Sequence, residues 1–168
     1  MNKLCAFLAV ILLIIPCFAV FSSAFVVDTD RGVSLEIRDI PSADIKFFAY
    51  CIATYDENGI LTVDDDFSSL DIDLNGTLDY SSITDTLSKK VLAEGIEPDA
   101  VILSDEYGIA TFEAHTLDVG LYLISSQKFL VDEKVYTMAP FTVPLPYKYD
   151  GGTAYKVFAS AKFDALPA

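Results

Sequence analysis

Four sets of side chains in this sequence have the types and spacing to do chemistry. The first is Lys162, which ends the stretch "TAYKVFASAK" (Thr153 to Lys162). A lysine at the tip of a strand is either solubilising edge decoration or an amine nucleophile offered to a partner's chemistry. The second is "DIDLNGTLDYSS", in which Asp71, Asp73, Asn75 and Asp79 fall at positions 1, 3, 5 and 9 of an EF-hand-like loop, with Gly76 permitting the turn. That spacing makes them candidate calcium ligands. Ser82 at position 12 cannot supply the bidentate carboxylate and no second loop follows, so the competing reading is an Asn-Gly turn that caps a helix. The third, His115 in "FEAHTL", has no nucleophile beside it. The fourth, Cys51, stands in an apolar strand, where a small packing residue is expected rather than a reactive thiol. None of these makes a catalytic constellation, and the reading is of a protein that is not an enzyme. Tyr50, Tyr55, Tyr107, Tyr122, Tyr136, Tyr147, Tyr149 and Tyr155 offer sugar-stacking surfaces, though aromatics at strand positions serve first as core and cross-strand pairs.

The elements that position these groups lie behind a leader. After Lys3 an uncharged run extends from Leu4 to Val27, with Ser22, Ser23 and Ala24 near its end. It reads as a signal peptide over 1–24, cleaved after Ala24, with a second candidate after Ala19; the competing reading is a retained membrane anchor. Beyond the leader one domain is expected over 25–168. Of 11 basic and 25 acidic residues only Lys3 falls in the leader, so the remainder carries 10 − 25 = −15. A nucleic-acid partner is excluded on that balance, because phosphate binding needs a basic footprint. Cys5 and Cys17 belong to the leader, which leaves Cys51 alone and rules out an internal disulfide.

From Val33 the chain reads as short strands. "VSLEIRD" turns Val33, Leu35 and Ile37 inward, and "DIKFFAYCIA" (Asp44 to Ala53) is apolar enough for the middle of a sheet. Type I′ hairpins are expected at Asn58-Gly59 and Tyr107-Gly108. "GLYLISS" (Gly120 to Ser126), "VYTMAPFTVPLP" (Val135 to Pro146) and "AYKVFASAK" follow; the prolines at 140, 144 and 146 require an edge or bulges. In the last stretch Tyr155, Val157, Ala159 and Ala161 face one way, and Lys156, Phe158, Ser160 and Lys162 the other. Between these strands, residues 64–99 form an insertion with one helix at about 80–94. Ile83, Leu87, Val91 and Leu92 make its apolar stripe, Asp79 or Ser81 its N-cap, and Gly95 its stop. The fold class is therefore mainly β, an antiparallel Ig-like or prealbumin-like β-sandwich with one inserted α-helix.

The order "GVSLEI", "FFAYCIA", D-E-N-G, "DFSSLDIDLN", a helix ending "AEGIEPDA", "DEYGIATF", "GLYLISSQ", "PFTVPLP" and "YKVFASAK", from Gly32 to Lys162, resembles the N-terminal domain of Gram-positive sortase-assembled pilins and related surface proteins. The resemblance implies a prealbumin-like, collagen-adhesin B-type sandwich. In that family the last strand often ends in W-x-x-x-V-x-V-Y-P-K, whose lysine accepts the threonine carbonyl of the next subunit's sorting signal from a sortase. Val157 and Lys162 match that motif; Thr153, Ala159, Ser160 and Ala161 stand where Trp, Val, Tyr and Pro would be. The resemblance thus implies Lys162 as the covalent cross-link acceptor. A lysine amine in water is mostly protonated at neutral pH, so activation must come from the partner enzyme. Many such domains carry an internal Lys-Asn isopeptide bond. None is expected here, because the first strand offers Arg38, Ser126 stands at the acid position, no asparagine follows Asn75, and Lys46 faces away from the core. No L-P-x-T-G occurs before Ala168, so the reading is of a terminal, accessory or truncated subunit able to accept a partner.

Together these readings make an exported cell-surface structural protein of a Gram-positive bacterium, pilin-like or pilus-accessory. Its expected partners are a sortase and other surface or pilus subunits, with no cofactor and calcium as the one candidate ion. The alternatives are a secreted module that binds carbohydrate or a host matrix protein, using exposed aromatics or the loop from Asp64 to Asn75, and a calcium-dependent interaction module.

Overall fold

Strict alternation builds the first strand. In β1 (Ser34–Arg38) Leu35 and Ile37 are fully buried while Arg38 is exposed. β2 (Lys46–Tyr55) is different, for it buries residues on both of its faces. The computed structural model describes residues 25–76 and 78–168. The expected leader, with both cleavage candidates, Cys5 and Cys17, lies outside the described residues.

After β2 come β3 (Leu61–Val63), two 3-10 turns (Asp65–Leu70 and Tyr80–Ile83) and α1 (Thr84–Glu94). Then follow β4 (Ala100–Leu103), β5 (Ala110–Phe112), β6 (Gly120–Ser126), β7 (Phe129–Val131), β8 (Lys134–Met138) and β9 (Phe141–Leu145). The chain ends with β10 (Tyr147–Tyr149), β11 (Gly152–Ala154), β12 (Lys156–Ser160) and β13 (Phe163–Pro167). One sheet runs β3-β2-β6-β9, with β4 also paired to β2; the facing sheet runs β12-β1-β5. A small sheet, β13-β8-β7, and the hairpin β10-β11 complete the fold. All pairings are antiparallel except β1 with β12, which run parallel from Ser34↔Lys156 to Arg38↔Ser160. Among the described residues the mainly β sandwich with one α-helix is therefore present, and its named strands make one parallel joint.

The central sheet is covered on both faces. Phe47 and Ala49 of β2 and Tyr122 and Ile124 of β6 join Leu35, Ile37, Phe112 and Val157 in the core between the sheets. Tyr50 and Ile52 of β2 and Leu121 and Leu123 of β6 point the other way, onto Phe67, Leu74, Leu87 and Val91 of the insertion. A bulge between Cys51 and Ala53 re-aims β2 where the two cores meet. Each fully buried large aliphatic side chain contributes about 1.5–3 kcal/mol, so both covers matter to stability.

The helix begins as a 3-10 turn whose N-cap is Asp79, accepting from Ser81 N–H at 3.0 Å, and it stops at Gly95 in the left-handed conformation (φ 63°). Leu87 and Val91 are buried as the stripe requires; Leu92 is 83% exposed and does not belong to it. Lys90 takes the buried place instead, donating to Glu94 (2.6 Å) and Ser69 (2.9 Å). The pattern misassigns these two because a lysine stem can lie in apolar surroundings if its ammonium finds partners.

Three strand readings need correction. The turns at Asn58-Gly59 and Tyr107-Gly108 are not type I′, which needs positive φ at two residues; only Gly59 (71°) and Gly108 (73°) have it. Each is a type I-like turn closed by that glycine. The preceding aspartate accepts from two N–H groups: Asp56 from Asn58 and Ile60, and Asp105 from Tyr107 and Ile109. The second turn also joins strands of different sheets, β4 and β5, so it is a crossing and not a hairpin. The stretch from Val135 to Pro146 divides at Ala139-Pro140 into β8 and β9, which lie in different sheets; β9 with Pro144 is an edge strand, as its prolines demand. Finally, "TAYKVFASAK" is not one closing strand: Thr153 and Ala154 belong to β11, β12 stops at Ser160, and β13 follows.

Candidate functional site

Lys162 lies in the two-residue step between β12 and β13. β12 delivers it there with the alternation intact: Tyr155, Val157 and Ala161 are buried and Ala159 half-buried, while Lys156, Phe158, Ser160 and Lys162 are exposed. The backbone around the lysine is pinned from two sides. Ala161 N–H donates to the Arg38 carbonyl at 2.9 Å, tying the step to β1, and Ala139 N–H donates to the Lys162 carbonyl at 3.0 Å, tying it to the β8–β9 connection. The side chain is therefore carried outward from a fixed backbone. Among the described residues its ammonium has no hydrogen bond or ion pair.

The face beside Lys162 is cationic in an acidic protein. Arg38 stands over the Phe158 ring at 4.5 Å and Lys156 at 5.2 Å; on the other side of the strand Arg31 covers Tyr155 at 4.2 Å. Glu36 links two of these cations, meeting Arg38 at 2.6 Å and Lys156 at 3.7 Å. Ser160 donates to Asp39. The sequence reading did not single out Phe158; its outward position opposite Val157 was the available signal.

The residues proposed for calcium have structural duties. Asn75 pairs with the Leu61 peptide like a strand partner, accepting from its N–H at 2.7 Å and donating to its carbonyl at 2.8 Å. Asp73 accepts from Asn75 N–H at 3.1 Å, and Asp71 ends the first 3-10 turn in the left-handed region. Asp79 caps the second turn, and the Ser81 N–H and hydroxyl beside it hold its carboxyl below the usual range. Among the described residues no group of three or more His, Cys, Asp or Glu side chains is placed to hold a metal ion.

Neither remaining candidate meets a reactive partner. His115 is exposed in the loop before β6, with φ 68°, its ring against Gly32. Cys51 is half-buried; burial, with Asp99 second, pushes its thiol up to about 11. Its N–H is held by Asp99 at 2.6 Å. The tyrosines divide as strand geometry requires: Tyr50, Tyr122 and Tyr155 are core residues, whereas Tyr107, Tyr147 and Tyr149 are exposed. Phe25, Tyr55, Tyr80 and Tyr147 line a cleft of about 620 Å³ between the insertion and β9. Lys46 is exposed, as its strand position requires. Among the described residues no helix is long and apolar enough to cross a membrane.

No family model and no curated protein matches the sequence. Among solved structures, the chain is similar to the full-length major pilin SpaD from Corynebacterium diphtheriae, at 22% identity and a TM-score of 0.53 over 82% of this chain and 31% of that one. It is also similar to the T6 backbone pilin of serotype M6 Streptococcus pyogenes, a modular three-domain structure, at 17% identity and a TM-score of 0.53 over 78% of this chain and 28% of that one. The chain thus spans less than a third of either pilin. The likeness is one of fold: this is a pilin-like β-sandwich with a helical cover.

Proposed function

We propose that the chain is an exported, non-enzymatic structural subunit of a Gram-positive cell surface, pilin-like or pilus-accessory, joined to its neighbour through Lys162. In this reading residues 1–24 are a signal peptide removed after Ala24, and 25–168 act as one domain. The observation that supports it is the placement of Lys162: an exposed amine on a step whose two flanking peptide groups are bonded to separate strands' ends. Such an acceptor has little backbone freedom to lose when a partner enzyme docks. The Lys162 amine would attack the threonine carbonyl held by a sortase. An amide forms to Nζ, the bond between threonine and the enzyme breaks, and of the ammonium's three protons one stays on the amide nitrogen while two pass to the departing group and solvent. This reading calls for no bound cofactor.

The test is incubation of residues 25–168 with a pilus-building sortase and a peptide that contains its threonine sorting motif. The expected result is a single adduct by intact mass, absent in Lys162→Arg. Labelling that persists in Lys162→Arg would overturn the assignment.

The aromatic cleft beside β9 favours a second reading, a secreted module that binds a glycan or matrix protein. Glycan binding lost in Tyr147→Ala, with no sortase adduct, would select it.

A further inference from the structure

The sandwich is closed along one side and open along the other. At the closed side the Asp105–Gly108 turn carries β4 into β5. On the opposite side lie β9 and β12, each the last strand of its sheet. They meet at one end, through Ala139 N–H to the Lys162 carbonyl, and diverge toward the other into a seam of about 380 Å³ lined by Val143, Tyr147, Ala154, Lys156, Val157 and Phe158.

The parallel register states which backbone groups face that seam. Ser34 N–H donates to the Tyr155 carbonyl and Ala161 N–H to the Arg38 carbonyl, so the odd-numbered residues of β12 bond to β1. The N–H and C=O groups of Lys156, Phe158 and Ser160 therefore point to the open edge, and among the described residues no strand other than β1 pairs with β12. An uncovered edge of this kind is a template for strand addition. Charge selects the strand that would fit. On the outward face of this ribbon stand Arg38, Lys156 and Lys162, three of the ten cations beyond residue 24, against Glu36 and Asp39. Phe158, 52% exposed, lies between two of those cations.

We infer that the open edge of β12 docks an extended acidic peptide segment of a partner protein, which adds as a further strand and alternates apolar residues toward Val143 and Val157 with carboxylates toward Lys156 and Arg38. The inference goes beyond acylation of Lys162 and does not require it. The probe is a fluorescent heptapeptide that alternates valine with aspartate or glutamate, titrated by anisotropy against residues 25–168. It is compared with a lysine-for-acid peptide and with a copy N-methylated at alternate amides.

The acidic peptide is expected to bind about tenfold or more tightly than the basic one, with an affinity that falls as salt rises. N-methylation is expected to abolish binding. Lys156→Glu weakens it about tenfold, its thermal transition showing that the fold is kept, and Lys162→Arg leaves it unchanged. Equal binding of the acidic and basic peptides, equal binding of the methylated copy, indifference to Lys156→Glu, or no binding at millimolar peptide would each overturn the inference. Because Lys162→Arg removes only the acylation, loss of the sortase adduct and loss of peptide binding are read separately.

Discussion

The two faces of the central sheet are covered by different means. The face toward β1 is closed by strands far apart in sequence, with β12 laid parallel to β1 so that the first and penultimate strands are neighbours. The opposite face is closed by one continuous stretch between β3 and β4, tied within itself by Lys90 on Ser69 and strapped to the strands by Asn75 on Leu61 and Thr84 on Thr142 at 2.7 Å. The difference teaches where the candidate acceptor gets its rigidity. Lys162 hangs on the non-local face, and the helical cover touches neither β12 nor β1 through any of these straps.

That contrast can be broken most severely from the non-local side. Phe112, fully buried on β5, is expected to cost about 3–5 kcal/mol as Phe112→Ala, read as a lower denaturant midpoint, with the sortase adduct lost wherever the protein is unfolded. A cost below about 1 kcal/mol would mean that the sheets do not depend on this core. Leu87→Ala, from the other face, is expected to cost about 2–5 kcal/mol in total. Hydrogen exchange sharpens the comparison: amides of 64–99 should lose protection first, while those of β1 and β12 keep theirs. Simultaneous loss on both faces would show that they form one cooperative unit.

Smaller changes test the straps. Asn75→Ala leaves the Leu61 peptide without its two partners and is expected to cost about 1–3 kcal/mol. Millimolar calcium should leave the Tm of the unsubstituted protein unchanged; a calcium-dependent rise would return this loop to ion binding. The mildest test is pH. With the Cys51 thiol pushed up to about 11 from 9.0, the unfolded chain releases this proton before the folded one does. The thiol's contribution is thus present below pH 9 and falls as pH rises toward 11. Native protein should react slowly with a thiol reagent at neutral pH and at the ordinary rate when unfolded.

Much of this was legible from residue patterns. The buried triplet Val33, Leu35, Ile37, the central apolar β2, the complete β6, the helix with its Asp79 cap and Gly95 stop, and the outward set ending in Lys162 all follow from period and capping chemistry. The rest depends on partners distant in sequence. Nothing local tells Leu92 from Lys90, because the choice rests on Ser69 and Glu94. Nor does Asn75 announce that its amide will complete the Leu61 edge. The division at Ala139-Pro140, the parallel β1–β12 joint and the strand after Lys162 are topological facts, set by which edge each short segment can reach. At the site, the lysine was readable; the cations around Phe158 were not, since Arg38 and Lys156 come together only through the β1–β12 register.

The most direct test of the central claim is made on the cell-surface material of the organism that makes the protein. Surface material released by cell-wall hydrolases and digested with trypsin should yield a branched peptide in which the carboxyl of a foreign threonine is joined to Nζ of Lys162. Recovery of Lys162 only in ordinary unbranched peptides, or of the branch on another lysine such as Lys148 or Lys156, would contradict it.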